Sequence, residues 1–274
     1  MLVGLKDSVT VGASEGGTGT VVGMNFTSAT GRTPSFLIRF RGKESVTIDW
    51  GDGSPRTTVA YSSSDTYAPH TFPAYGKYEI TFYNAKGIGF RPLDGYPQYG
   101  YDDAIISVVD YSGVLEDIPS GAFKYATKLE RFIAPNARWV GQRPFAYCSS
   151  LKEVRLGRVY IHYDGSFQNC TSLERFETLE TGQCWSYVWQ GCTKLRELKL
   201  GAVTQFATQD FYNCPNLADI WISNKTIAQV KQVAPEGNIV AGYNAKVPWN
   251  APSGCRFHCT DGIVLANGTI VEQN

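Results

Sequence analysis

An aromatic residue recurs every 22 positions through the middle of the chain, at Phe123, Phe145, Phe167, Trp189 and Phe211. Two further columns keep the same step without an insertion. Ala126, Cys148, Cys170, Cys192 and Cys214 stand three positions after the aromatics, and Leu129, Leu151, Leu173, Leu195 and Leu217 three positions after those. A weaker coil precedes them, because Leu115 and Ile118 lie one period before Ala137 and Val140. A fixed period of this kind is the signature of stacked repeats. The i, i+3 spacing lines the aromatic, the cysteine and the leucine along one face of a helical turn. Alternation then takes over: in Leu195-Arg-Glu-Leu198-Lys-Leu200 the three leucines point inward from a strand. A single coil cannot bury its apolar side alone, whereas stacked coils share a continuous core. The pattern predicts a parallel β-solenoid.

In-register stacking places residues one period apart at about 4.8 Å on neighbouring strands. The outward columns then alternate in sign: Glu130, Lys152, Glu174, Arg196; Arg131, Glu153, Arg175, Glu197; and Arg155, Glu177, Lys199. Opposite charges on adjacent strands attract by roughly 0.2–1 kcal/mol per pair, so the columns specify register. They also give a face that is costly to desolvate and carries no net potential, expected to be solvated and self-paired. Asp219 and Trp221 break the alternation at the last rung. Trp221 is read either as a contact residue or, the favoured reading, as covered by the C-terminal segment.

Composition narrows the function classes. Only 18% of residues are charged, while 28 glycines and 16 tyrosines favour short strands and turns over long helices. Lys plus Arg (25) balances Asp plus Glu (25), so no broad field recruits phosphate backbones and nucleic acid is not an expected partner. No run approaches the roughly 18–20 apolar residues of a membrane span, so no membrane insertion is expected. Met1–Gly12 lacks the basic flank and long apolar stretch of a secretion signal, and no signal peptide is expected there.

The seven cysteines do not read as a disulfide framework. Parallel side-chain vectors in the inward column keep Cβ separations near the strand spacing, beyond the roughly 3.8 Å that a bridge prefers. Free thiols packed as small hydrophobes are expected instead. Cys184 belongs to a second inward column with Val140, His162 and Phe206. His162 is therefore expected to be a packed histidine with a local hydrogen bond, a zinc site being the weaker alternative. Cys255, His258 and Cys259 supply three metal ligands, fewer than a closed structural zinc site takes. In an extended segment the two thiols would also stand roughly 13 Å apart. No cofactor and no metal is expected.

The columns resemble the BspA-like leucine-rich repeats of bacterial surface proteins. Their signature, A-F-x-x-C-x-x-L-x-x-I-x-L, is matched by Ala122-Phe123 and by Phe167-Gln-Asn-Cys170-Thr-Ser-Leu173. The coils are one residue shorter than the usual form, and the position before the aromatic is mostly not Ala. The resemblance implies a right-handed solenoid over residues 105–222 and an extracellular or cell-surface location.

Ahead of the repeats, Phe36–Phe40, Val46–Ile48 and Tyr78–Phe82 read as strands, and Asp49-Trp50-Gly51-Asp52-Gly53 as a tight turn with aspartates capping amides. A calcium loop would need more closely spaced oxygens than Asp49 and Asp52 provide, so turn hydrogen bonds are the favoured role. With Pro69-His-Thr-Phe72 and Tyr75-Gly-Lys-Tyr-Glu-Ile80, this turn resembles the polycystic-kidney-disease (PKD) type β-sandwich, whose marks are WGDG, H-x-Y and G-x-Y-x-V; Phe72 replaces the usual Tyr. The resemblance implies an immunoglobulin-like domain over residues 1–90. The first 30 residues pair an edge strand or form a flexible lead. A Pro/Gly/Tyr-rich link, 91–104, follows and is not expected to be regular. After the coils, 223–274 form a cap: a short helix over Thr226–Val233 with a T-x-x-Q capping pattern, started near Ser223 or Asn224, then strands joined by Asp-Gly and Asn-Gly turns. The F-x-C-T-D-G element at Phe257–Gly262 resembles a closing segment seen after such repeats. The expected fold is thus mainly β with short helical turns: a sandwich, a solenoid and a C-terminal cap, expected to be monomeric.

No nucleophile elbow, phosphate loop or metal cluster is evident, and the three histidines sit in turn, core and cap contexts, so no catalytic residue is expected. Architecture points to a non-catalytic binding or adhesion module for a host protein, matrix component or glycan. A structural part of an assembly, such as a phage tail fibre or cell-envelope scaffold, is the alternative, and a carbohydrate-active enzyme using a carboxylate pair is the least supported. If the strand face is self-paired, contacts come from the irregular halves of the coils and the link, where Trp139, Tyr160, Tyr163, Trp185, Tyr187, Tyr96, Tyr99 and Tyr101 offer aromatic area.

Overall fold

The computed structural model describes residues 19–26, 35–39, 44–74, 76–90, 104–206, 209–236 and 250–273. The link from Arg91 to Tyr101 lies outside them, and with it Tyr96, Tyr99 and Tyr101. The described chain is almost entirely β. Seven strands precede the repeats: β1 (Thr20–Phe26), β2 (Ser35–Arg39), β3 (Val46–Asp49), β4 (Thr57–Val59), β5 (Thr66–Pro69), β6 (Gly76–Tyr83) and β7 (Gly87–Phe90). The coils supply β8 (Ile105–Asp110), β9 (Asp117–Ile118), β10 (Arg131–Ala134), β11 (Trp139–Val140), β12 (Glu153–His162), β13 (Arg175–Cys184), β14 (Glu197–Lys199), β15 (Ala202–Gln205) and β16 (Asp219–Trp221). The helix α1 (Ile227–Glu236) and strands β17 (Arg256–Cys259), β18 (Gly262–Leu265) and β19 (Ile270–Gln273) follow.

The coils stack in the register the period predicts. Glu153 pairs with Arg175, Phe176 with Leu198, and Lys199 with Trp221, each across parallel strands and one period apart. The weak first coil obeys it as well, with Asp117 beside Trp139 and Ile118 beside Val140. Inward columns are consequently sealed: Leu151, Leu173 and Leu195 have no exposed surface. Phe123, Phe145 and Phe167 stack face to face at 5.6 and 5.1 Å. Full burial of side chains this size contributes roughly 1.5–3 kcal/mol each.

The cysteine column has a bonding role beyond its volume. Each thiol donates to the carbonyl of the aromatic residue in the preceding coil: Cys148 to Phe123, Cys170 to Phe145 and Cys192 to Phe167 at 3.1 Å, and Cys214 to Trp189 at 3.0 Å. All seven cysteines are free, those of the inward column as the parallel-vector argument requires. Two turn positions in every coil adopt left-handed backbone, the columns Gly121, Arg143, Gly165, Tyr187, Gln209 and Tyr125, Tyr147, Asn169, Gly191, Asn213, with φ between 51° and 75°. That geometry turns their N–H groups toward the next coil, as in Tyr125 to Ala146 O and Tyr147 to Gln168 O.

The strands form two ladders. One runs β4-β3-β6-β1-β8-β10-β12-β13-β14-β16-β17-β18-β19, the other β5-β2-β7-β9-β11-β12-β13-β15. The ten-residue strands β12 and β13 belong to both, their first halves to one ladder and their second halves to the other. The N-terminal strands therefore extend the solenoid's own ladders, and buried residues from Val22 to Ala266 make one core cluster. Strand β1 decides this continuity. It lies between β6 and β8, antiparallel to both, so this part of the first 30 residues is an interior strand and not a flexible lead.

At the other end the cap closes the coils. Strand β17 continues the parallel register, pairing Asp219 with Arg256 and Trp221 with His258, before β18 and β19 turn back antiparallel. The helix starts later than Ser223 or Asn224, because Thr226 and Gln229 form the reciprocal capping box: Gln229 N donates to Thr226 Oγ1, and Thr226 N to Gln229 Oε1. Asn224 instead closes the second ladder. Its side-chain amide accepts from Val203 N at 2.9 Å and donates to Val203 O at 3.0 Å, so it occupies the place of the next strand.

Candidate binding surface on the solenoid

The outer face of the first ladder is held by the charge columns. Lys152 meets Glu130 at 2.9 Å, and Glu153 is shared by Arg131 at 2.9 Å and Arg155 at 2.8 Å. Lys199 and Arg175 both approach Glu197 at 3.9 Å. The apparent break at Asp219 is repaired by the cap, where Arg256 reaches its carboxylate at 2.6 Å. Ion pairs cover part of this face, whereas Glu174, Glu177 and Arg196 make none among the described residues.

Trp221 departs from expectation. It is 44% exposed, because β17 lies beside β16 in the same ladder and does not fold over it. His258 stacks on the indole at 3.6 Å and donates through Nε2 to Asp219 at 2.7 Å. That engagement occupies the histidine of the Cys255–Cys259 segment. Burial pushes the Cys255 thiol up to about 12 and Cys259 to about 11. Among the described residues no group of three or more His, Cys, Asp or Glu is placed to hold a metal ion.

The anticipated aromatics of the coils lie on the second ladder and the turn that follows it. Trp139 and Tyr160 are 39% and 50% exposed, with ring centroids 5.5 Å apart. Trp185 is 48% exposed and packs on half-buried Tyr163 at 5.3 Å. Tyr187 is half-buried in one of the left-handed turn positions. The structure thus gathers four of these side chains into two pairs on successive coils. Sequence reading missed a third pair, Tyr125 and Tyr147, stacked at 4.9 Å in the second left-handed column. Its signal was present as Phe123-Lys-Tyr125 and Phe145-Ala-Tyr147, one period apart.

His162 lies in the inward column as expected, without exposure, but without the expected local hydrogen bond. Among the described residues neither ring nitrogen has a partner, nor does Trp189 Nε1. Phe167, Phe176 and Trp189 surround it at 6.0, 5.8 and 5.8 Å. Burial lowers its pKa to about 3, so the ring is neutral in the fold.

In the N-terminal unit the Asp49–Gly53 turn is built by hydrogen bonds, as expected. Gly51 N donates to Asp49, Ser54 N and Oγ donate to Asp52, and Arg56 pairs with Asp49 at 3.0 Å. Gly51 is needed here, because its φ is 70° and a Cβ would meet Glu79 O at 2.3 Å. His70 Nε2 meets Asp52 at 2.7 Å while its ring stacks on buried Trp50 at 4.3 Å. Burial raises the Asp52 pKa, but the bonds from Ser54 and His70 outweigh it and hold the carboxyl at about 2.

Residues 106–234 match the model of the BspA type leucine rich repeat region, in six copies. That segment is a BspA-type leucine-rich-repeat solenoid. No curated protein and no solved structure matches the chain. Among the described residues, no helix is long and apolar enough to cross a membrane.

Proposed function

We propose that this BspA-type protein is a non-catalytic recognition module acting at the bacterial surface, engaging a host protein, matrix component or glycan through the aromatic pairs of its second ladder. The supporting observation is that Trp139 with Tyr160, and Trp185 with Tyr163, stand partly open to solvent on rigid coils. Rigid aromatic area of this kind anchors interfaces at low entropy cost. The repeat family is usually surface-exposed and often takes part in protein–protein interaction or adhesion, and a leucine-rich-repeat solenoid is typically a non-catalytic scaffold. The ion pairs of the first ladder favour contact elsewhere, since they would have to be desolvated. We read the N-terminal strands as a PKD-type unit on the strength of the Asp49–Gly53 turn and the His70–Trp50 stack.

The test is a glycan and host-protein array probed with the intact chain and with a Trp139→Ala, Trp185→Ala, Tyr187→Ala variant. Binding by the native chain that the variant loses supports the reading; binding unchanged in the variant removes it. A scaffold role is the second reading. It is favoured by β19, which among the described residues is paired on one side only and exposes Ile270 and Val271 at 42% and 56%. Concentration-dependent association in sedimentation velocity, abolished by Val271→Lys, would support it.

A further inference from the structure

The repeats carry their own control for one unexplained choice of residue. The column 125, 147, 169, 191, 213 has left-handed backbone in all five coils, and three coils fill it with Asn169, Gly191 and Asn213. Those are the residue types that tolerate this conformation. The first two coils use Tyr125 and Tyr147 instead, both at φ 67°. Tyrosine there is strained, and strain of this kind persists where another property is selected. The fold itself is served by asparagine or glycine, since the later coils make the same N–H contact to the next coil with them: Asn169 to Gln190 O and Gly191 to Tyr212 O.

The two phenol rings stack at 4.9 Å and 15°, with Lys124 Nζ 4.9 Å over the Tyr125 ring. Tyr147 is 37% exposed. On its far side the aromatic ladder stops at Asn169, whose side-chain amide makes no hydrogen bond among the described residues. Gly191 leaves room for that amide, because a Cβ there would stand 2.2 Å from Asn169 Oδ1. A partly exposed aromatic ring one coil from an amide without a hydrogen bond matches the chemistry of a pyranose ring, which offers C–H groups to the aromatic and hydroxyls to the amide.

We propose that Tyr147 and Asn169, backed by Tyr125, form a carbohydrate subsite for the pyranose ring of a glycan, separate from the Trp139 and Trp185 pairs. Replacement by the residue the sister coils use gives a variant matched to the backbone. The chain and its Tyr125→Asn/Tyr147→Asn variant are probed against immobilised cello-oligosaccharides, chito-oligosaccharides and N-acetyllactosamine glycans. The native chain should retain at least one of them and the variant should bind it roughly tenfold more weakly, the loss expected from one stacking contact. Asn169→Gly, which keeps both rings, should weaken the same glycan, whereas Asn213→Gly, at the corresponding position two coils on, should not. A native chain that retains none of these glycans, or a tyrosine variant that is folded by circular dichroism and binds as tightly, overturns the proposal.

Discussion

His162 and Trp189 face each other in the core with ring centroids 5.8 Å apart, and neither imidazole nitrogen nor the indole nitrogen has a hydrogen-bond partner among the described residues. The neighbours in the His162 column are Val140, Cys184 and Phe206, so a polar ring stands where the coil wants an apolar one. Its pKa is depressed from the ordinary value to about 3. The neutral ring is compatible with the fold, but below about pH 6.5 the unfolded chain gains a proton that the folded chain refuses. The stabilising difference is whole above that pH and falls as pH drops toward 3, by up to roughly 1.4 kcal/mol per pH unit. His162→Leu should therefore flatten the dependence of urea stability on pH between 6.5 and 4.5. Parallel curves for variant and native chain would show that His162 does not titrate in this way.

The buried thiols should be chemically silent. Burial raises Cys170, Cys184, Cys192 and Cys214 well above the ordinary value, and only Cys259 is half-buried. Because the thiolate is the reactive form, a thiol reagent at pH 8 should label at most one cysteine of the folded chain and all seven after denaturation. Fast labelling of two or more in the native state would contradict the sealed column.

Glu153 is shared at short distance by Arg131 and Arg155 and stands in register with Arg175. Glu153→Lys would put four basic side chains together. A loss of roughly 1 kcal/mol is expected at low salt. It should shrink at about 1 M NaCl, where the screening length falls to about 3 Å. A salt-independent loss would point to packing instead of charge.

Asn224→Ala should leave the Val203 N–H and carbonyl without their closing partner, at a cost of roughly 1–3 kcal/mol. Hydrogen exchange reads the effect directly, because the Val203 amide should lose protection while Leu198, deep in the first ladder, keeps its own. Unchanged exchange at Val203 would show that the amide does not act as a strand.

Much of the fold was legible because a solenoid converts sequence period into spatial register. Each column is one residue per coil, so Phe145, Cys148 and Leu151 could be placed inside and Glu153 outside by counting alone. The candidate surface was legible only in part. Trp139 and Tyr160 stand on β11 and β12 and not in the irregular halves of the coils, and Trp185 follows β13; counting fixes their neighbours but not their exposure. Trp221 was misjudged because whether a cap lies beside a strand or over it depends on the direction of Arg256–Cys259, which no local pattern records. The Tyr125–Tyr147 pair was overlooked because a left-handed backbone is invisible when the residue holding it is tyrosine.

The period by itself determined the stacking, the inward columns, the free state of the thiols and the alternating charges, since all of these follow from placing position i over position i + 22. Tertiary structure alone decided how the coils end. Strand β1 enters between β6 and β8 and joins the N-terminal strands to the solenoid, Arg256 arrives beside Asp219, and Asn224 stands in for a strand. Inside the array every coil's edge is satisfied by an identical neighbour, whereas at its two ends the same backbone groups must find partners from elements outside the repeat, and those partners are set by the path of the chain in space.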